Sequence, residues 1–215
     1  MGEVGVRRVT AFCPRTYVAA RNTAHRVRQI AGAAPTPFDV WPPAVRSANG
    51  EGFRDSDEGY RWLAEPTSIL YVSAHSWVDD DGATFSWGPG PKRPDDEFVA
   101  LGQIAAHGRI AATGCVILDC CFGTTGEAFT ELAAATLHKV PVLGMTRPDN
   151  WTGDPFKAGQ SNRDVSKKFM IPAIERLVQL DDLSPLSCEA VLREIAESAG
   201  QPHAHIPHVR WTMAA

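Results

Sequence analysis

The sequence predicts an α/β protein, a three-layer α/β/α sandwich built on a mostly parallel sheet, and three observations carry that prediction. Short apolar runs at Ser68–His75, Cys115–Leu118 and Val140–Thr146 are almost uninterrupted, as in strands buried on both faces. Between them stand stretches with apolar residues at helical spacing, and a strand–helix–strand alternation favours parallel pairing with helices above and below the sheet. The length of 215 residues, 44% hydrophobic and 21% charged, suits one such unit and leaves little room for two. Residues 1–215 therefore read as a single domain, with a core over 6–146 and C-terminal helices over 165–199.

Taken in order, Val6–Phe12 reads as a first strand ended by Cys13-Pro14-Arg15, followed by a helix over Thr16–Ala31. Phe38–Trp41 reads as a short second strand, stopped by Pro42-Pro43 because consecutive prolines remove donors and restrict the residue before them. The polar, Gly-containing Ser47–Asp57 reads as a surface loop, and Gly59–Ala64 as the end of a helix leading into the Ser68 strand. Beyond His75, Asp79-Asp80-Asp81-Gly82 is a turn signal between Trp77-Val78 and Ala83–Trp87, which predicts an exposed hairpin projecting from the sheet. Gly88–Pro94 reads as a loop. Asp95-Asp96 match the dipole of a following helix, Asp96–His107, with Phe98, Leu101, Ile104 and Ala105 on one face. A buried central strand from Cys115 lies between Gly114 and Gly123, a helix spans Glu127–Leu137, and Pro141 favours an end or edge position for the next strand. Asn150–Arg163 is a polar linker following a strand end, so it could line a cleft. Val165–Leu180 and Cys188–Ala199 read as amphipathic helices separated at Leu183-Ser184-Pro185, and the tail as irregular or as one further strand at His208–Trp211.

Composition narrows the function. A net charge of −4 offers no basic field for nucleic acid or for an anionic membrane. No run approaches the ~20 apolar residues that span a bilayer, and Met1–Arg8 lacks the apolar core of a signal peptide, so a cytoplasmic location is expected. Cys13, Cys115, Cys120, Cys121 and Cys188 are odd in number with no two-residue spacing, which argues for free thiols rather than a disulfide framework or a zinc knuckle. Neither a dinucleotide glycine pattern nor a phosphate loop occurs, and no cofactor is expected. Asp79–Asp81 invite a calcium reading but lack the ligand spacing of a calcium loop, so a solvated turn is preferred and calcium dependence stays open. His203, His205 and His208 form the one histidine cluster of the sequence, without an acidic or thiol ligand beside it.

The chemistry sits at two strand ends. His75 closes the Ser68 strand and Cys121 follows the Cys115 strand, and open α/β sheets gather their sites at the carboxyl ends of parallel strands. A thiolate beside an imidazole is a nucleophile with its acid/base partner. Gly123 permits a tight turn after the thiol, and the backbone N–H groups of Ser76 and Cys121 are the nearest oxyanion donors. The bland reading of Cys121 is a small buried apolar residue at a strand end.

Leu70-Tyr71-Val72-Ser73-Ala74-His75, followed by Ile117-Leu118-Asp119-Cys120-Cys121-Phe122-Gly123, resembles the paired strand motifs of the caspase-like cysteine peptidases, a superfamily that includes caspases, metacaspases and bacterial caspase-like domains. The resemblance covers about Val6–Thr146. It implies a caspase-like sheet, with His75 as the catalytic imidazole, Cys121 as the nucleophile, Cys120 in the place of a small residue and Gly123 in that of the motif's glycine. It also bears on the substrate. In metacaspases the residue two before the cysteine is an aspartate that pairs with Arg or Lys, and Asp119 occupies that position, which implies cleavage after a basic residue. A carboxylate meeting a guanidinium can form two parallel bonds, so Arg is expected over Lys. The competing reading has Asp119 capping the local turn or orienting His75.

Two departures stand out. Ser76 replaces the glycine that usually follows the histidine, and Cys120-Cys121 supplies two adjacent thiols. Strand alternation sends such neighbours to opposite faces, so Cys120 is expected in the core. Trp77, Trp87 and Trp151 read as hairpin packing or cleft wall. Arg15 is expected to point away from a pocket for basic residues or to hold an acidic group. Lys92-Arg93 and Arg163 resemble self-cleavage sites but read first as solvated loops, and His25, His107 and His138 as structural or surface residues. The expected partner is a peptide or protein substrate, with regulation by another protein or by self-association, and no nucleic acid or membrane. The alternatives are an inactive caspase-like interaction module and a thiol acyl-transfer or redox protein.

Overall fold

The computed structural model describes residues 7–43, 52–78, 85–89, 97–120, 126–146, 166–198 and 206–212. Six strands form the main sheet: β1 (Arg8–Phe12), β2 (Asp39–Trp41), β3 (Thr67–Ser73), β7 (Ala112–Asp119), β8 (Pro141–Thr146) and β9 (Ile206–Trp211), in the order β2-β1-β3-β7-β8-β9. All neighbours are parallel except β8 and β9, which run antiparallel. A second, antiparallel sheet holds β4 (His75–Val78), β5 (Phe85–Gly88) and β6 (Val99–Ala100) in that order.

Strand alternation separates two cores, one on each side of the main sheet. Val9, Ala11, Ile69, Tyr71, Cys115, Ile117, Leu143 and Met145 pack with α1 (Val18–Gly32), a π-helical turn (Ser166–Met170), α5 (Ile171–Leu177) and α6 (Pro185–Glu197). Phe12, Leu70, Val72, Val116, Leu118 and Val142 face the other way. They meet α2 (Ser56–Ala64), α3 (Ile104–His107) and α4 (Gly126–Ala135) through Tyr60, Trp62, Leu63, Ile104, Phe129, Leu132 and Ala135. The molecule is thus a mixed α/β fold with helices packed on both faces, an α/β/α sandwich, and every residue of β3 is buried, as its apolar run predicts.

Several boundaries shift for identifiable reasons. The predicted Ser47–Asp57 surface loop is corrected where it is described: Phe53 is fully buried and pairs with Phe12 at 4.6 Å, while its backbone bridges to Pro14. An aromatic ring of that size gains too much from burial to stay in a polar loop. Asp55 then starts α2 by accepting from the Glu58 N–H at 2.8 Å. The hairpin is present, but its base is not exposed, since Trp87 is fully buried with its ring 5.8 Å from Phe12.

The predicted helix Asp96–His107 shrinks to one turn of 3-10 helix (Leu101–Gln103) and the four residues of α3. Val99, a β-branched residue, pairs with Trp87 of β5 instead, so strand pairing prevails over helix formation. Gly108, at φ 122°, ends α3. Pro141 opens β8, yet that strand is interior, flanked by β7 and β9. The predicted helix Val165–Leu180 divides where Pro172 enters the first turn of α5. The optional last strand exists as β9.

Candidate functional site

The carboxyl ends of β3 and β7 meet in register, with Val72 opposite Leu118 and Ser73 opposite Asp119. Past Ser73 the chain bends at Ala74 and enters β4 at His75, so the imidazole belongs to the second sheet rather than to the end of β3. Past Asp119 comes Cys120, buried at 2% exposure in the same core cluster as Leu118 and Phe129. Its placement agrees with the alternation argument. Cys121 and Gly123 lie outside the described residues, as do Asp79–Asp81, Lys92-Arg93, Asp95-Asp96, the linker Asn150–Arg163 with Trp151, and His203 and His205.

Asp119 faces the α1 and α5 side of the sheet. Its Oδ2 accepts from the Tyr71 hydroxyl at 3.1 Å and from Ser166 Oγ at 2.7 Å, and Ser73 is a third hydroxyl partner. Burial pushes its carboxyl up to about 6, with the bonds from Ser166, Tyr71 and Ser73 pulling the other way. Tyr71 is held well above the usual phenol range by burial and by the neighbouring carboxylate, so it remains a donor.

Asp119 is 9% exposed and lines a cavity of about 550 Å³. Tyr17, Asn22 and Thr23 of the α1 side form one wall of this cavity, and Ser73, Ala74 and Ser166 form part of the other. Two exposed cations, Arg26 and Lys167, also line it, and Arg26 is paired with Glu175 at 3.5 Å. The cavity therefore combines one sequestered anionic group with cations that face water.

His75 is half-buried, and burial holds its imidazole below the ordinary histidine value, favouring the neutral ring. The Tyr17 ring stacks on it, with centroids 4.2 Å apart and planes 22° apart. Tyr17 is the residue before α1, and its neighbour Thr16 is fixed by the buried Glu97 carboxylate, which accepts from the Thr16 N–H and Oγ1, both at 2.8 Å. Ser76 is buried in the β4–β5 ladder opposite Trp87. Arg15 is exposed.

The other described thiols are not poised to react. Cys13, Cys115 and Cys188 are fully buried; burial pushes Cys13 up to about 12, and Cys115 is raised by its hydrogen bond with Cys188 and by burial. No group of three or more His, Cys, Asp or Glu able to hold a metal occurs among the described residues, and no helix among them is long and apolar enough to cross a membrane.

Sequence reasoning singled out His75 and Asp119 but not Tyr17, Tyr71, Ser73 or Ser166 as site residues. Tyr71 and Ser73 were open to discovery, because they share with Asp119 the face that alternation assigns on two neighbouring strands. Tyr17 follows the end of β1 on the same sheet edge. Ser166 carries no local signal, being 47 positions from the carboxylate it meets. Compared with known proteins, the chain matches no protein-family model and no curated protein.

Proposed function

We propose that the protein is a cysteine peptidase of the caspase-like kind, with Cys121 as nucleophile and His75 as its acid/base partner. Within that class we assign it cleavage after a basic residue, Arg before Lys, with Asp119 as the reader of that side chain. The observation that carries the reading is the register of the two strands. Ser73 and Asp119 are direct neighbours, and in sequence His75 and Cys121 each stand two residues beyond them. Neighbouring strands lie ~4.8 Å apart and two residues reach at most ~7 Å, so chain length alone allows the two side chains to meet beside that edge.

Hydrolysis would proceed by attack of the Cys121 sulfur on the scissile carbonyl carbon, with the thiol proton passing to His75. The imidazolium then gives that proton to the departing amine, leaving a thioester that water, deprotonated by His75, cleaves to the acid and the free thiol. The oxyanion would be met by the backbone N–H groups assigned to Ser76 and Cys121. A lowered histidine value suits the first transfer, since the neutral ring is the form that accepts a proton.

The cavity supports the specificity. An Arg side chain placed there would meet the Asp119 carboxylate in a site of low exposure, where a charge-assisted pair is stronger than at the surface. Arg26 and Lys167 also line the cavity, and they would favour peptides carrying an acidic residue beside the Arg.

The test is a set of fluorogenic peptides that differ only in the residue before the cut, assayed with wild type, Cys121→Ala, Cys120→Ala and Asp119→Asn. The expected result is cleavage after Arg that is abolished by Cys121→Ala, kept by Cys120→Ala and reduced at least a hundredfold by Asp119→Asn, on the order of a lost buried charge pair. Cleavage that vanishes with Cys120→Ala alone would move the nucleophile, and cleavage indifferent to the residue before the cut would remove the role of Asp119.

A further inference from the structure

We propose that Tyr17 is the positioning residue of His75 and that it ties the orientation of the imidazole to what fills the Asp119 cavity. The inference rests on the peptidase reading for its catalytic consequence, but its structural content stands on two placements of one residue. The Tyr17 ring stacks face to face on the imidazole at 4.2 Å, and Tyr17 is also part of the cavity wall that includes Ser73, Ala74 and Asp119.

The geometry makes Tyr17 a link rather than a bystander. The χ2 torsion of a histidine is broad, so an imidazole at the start of a strand is not held by rotamer preference alone. A ring lying over its face forbids rotation out of the shared plane. The base of Tyr17 is itself fixed: its carbonyl accepts from the Arg21 N–H at 3.0 Å in the first turn of α1, and the preceding Thr16 is clamped by Glu97 at two points. With its backbone anchored, the side chain has few ways to yield. A substrate group entering the cavity removes room on the cavity side and leaves the ring seated on His75. The ring thereby converts pocket occupancy into a narrower set of imidazole orientations, and orientation is a large part of what positions a proton transfer.

One consequence concerns specificity. Peptides whose side chain does not fill the cavity would bind near the nucleophile with a less constrained histidine. They would then lose turnover as well as affinity, the pattern expected when binding energy away from the reacting atoms serves the transition state.

The experiment uses the full chain, as wild type, Tyr17→Phe and Tyr17→Leu, with His75 ring protons assigned by NMR and benzamidine as the cavity probe. Phe keeps the stacked ring, whereas Leu keeps an apolar wall of similar bulk without one. The expected result is upfield-shifted His75 ring resonances in wild type and Tyr17→Phe, a shift lost in Tyr17→Leu. Benzamidine should move those resonances in the first two proteins and leave them in place in the third. With an Arg peptide, kcat should fall on the order of ten- to a hundredfold in Tyr17→Leu, with a smaller change in KM, and return in Tyr17→Phe.

Equal response of His75 to benzamidine in all three proteins, or no response in wild type, would overturn the coupling. Unaltered kcat in Tyr17→Leu would overturn the positioning role. Absence of peptide cleavage by wild type, with the NMR pattern intact, would instead remove the peptidase reading and leave the Tyr17 link in place.

Discussion

At the scale of single residues, Asp119 is where stability and the proposed activity pull apart. Its carboxyl is pushed up to about 6 by burial, against an ordinary value of 3.8, even with hydroxyls from Ser166, Tyr71 and Ser73 around it. A folded state that binds a proton more tightly than the unfolded chain loses relative stability as pH rises through that interval. Asp119 therefore favours the fold most below about pH 4 and least above about pH 6, a swing of about 2–3 kcal/mol at 1.36 kcal/mol per unit. Replacement by Asn removes the titration. Thermal unfolding of Asp119→Asn, compared with wild type, should show a difference in Tm that moves in the variant's favour between pH 4.5 and pH 7.5. A difference that stays constant over this range would mean that the carboxylate is not held in the buried state described. Under the proposed function, a bound guanidinium would offset that disadvantage by stabilising the charged form.

At the scale of elements, β7 is the piece on which the site and the core both depend. Its residues from Cys115 to Asp119 are buried, and at Gly114 the backbone of β3 and of the turn before α6 leaves no room for a side chain. A Cβ at Gly114 would lie 2.6 Å from the Ser68 carbonyl oxygen and 2.7 Å from that of Leu183, just ahead of α6. Both obstacles are backbone, so they cannot step aside as a side chain can. Gly114→Ala should destabilise the protein by about 1–3 kcal/mol, which corresponds to a fall in Tm of roughly 3–9 °C for a chain of this size. An unchanged Tm would show that β7 and the turn before α6 are not so closely apposed. The centre of the sheet was readable because β3 and β7 are apolar on both faces, the pattern of a central parallel strand. The β6 region was not readable. Val99 belongs to a stretch with helical spacing, and it became a strand only because β5 offers it an edge through a contact that local periodicity does not encode.

At the scale of the whole molecule, the topology brings together residues that the sequence keeps far apart. Tyr17 arrives from beyond the end of β1, Ser73 from the end of β3, His75 from the start of β4, Asp119 from β7 and Ser166 from the turn before α5, and they meet beside the carboxyl edge of the parallel sheet. His75 and Asp119 were legible because each closes an apolar run, where a polar group is out of place unless it has work to do or partners to satisfy it. Their partners were less so. Nothing in the sequence near Ser166 points to Asp119, and the stacking of Tyr17 on His75 depends on how β4 leaves the main sheet at Ala74. The most direct test of the central claim is covalent labelling with an Arg-terminated peptide bearing a thiol-reactive ketone, followed by mass mapping of the modified residue. The account requires one adduct on Cys121, suppressed by Asp119→Asn and absent with the matching Asp-terminated probe, while Cys13, Cys115, Cys120 and Cys188 stay unmodified in the native protein. Labelling at Cys120, or equal labelling by the Arg and Asp probes, would contradict it.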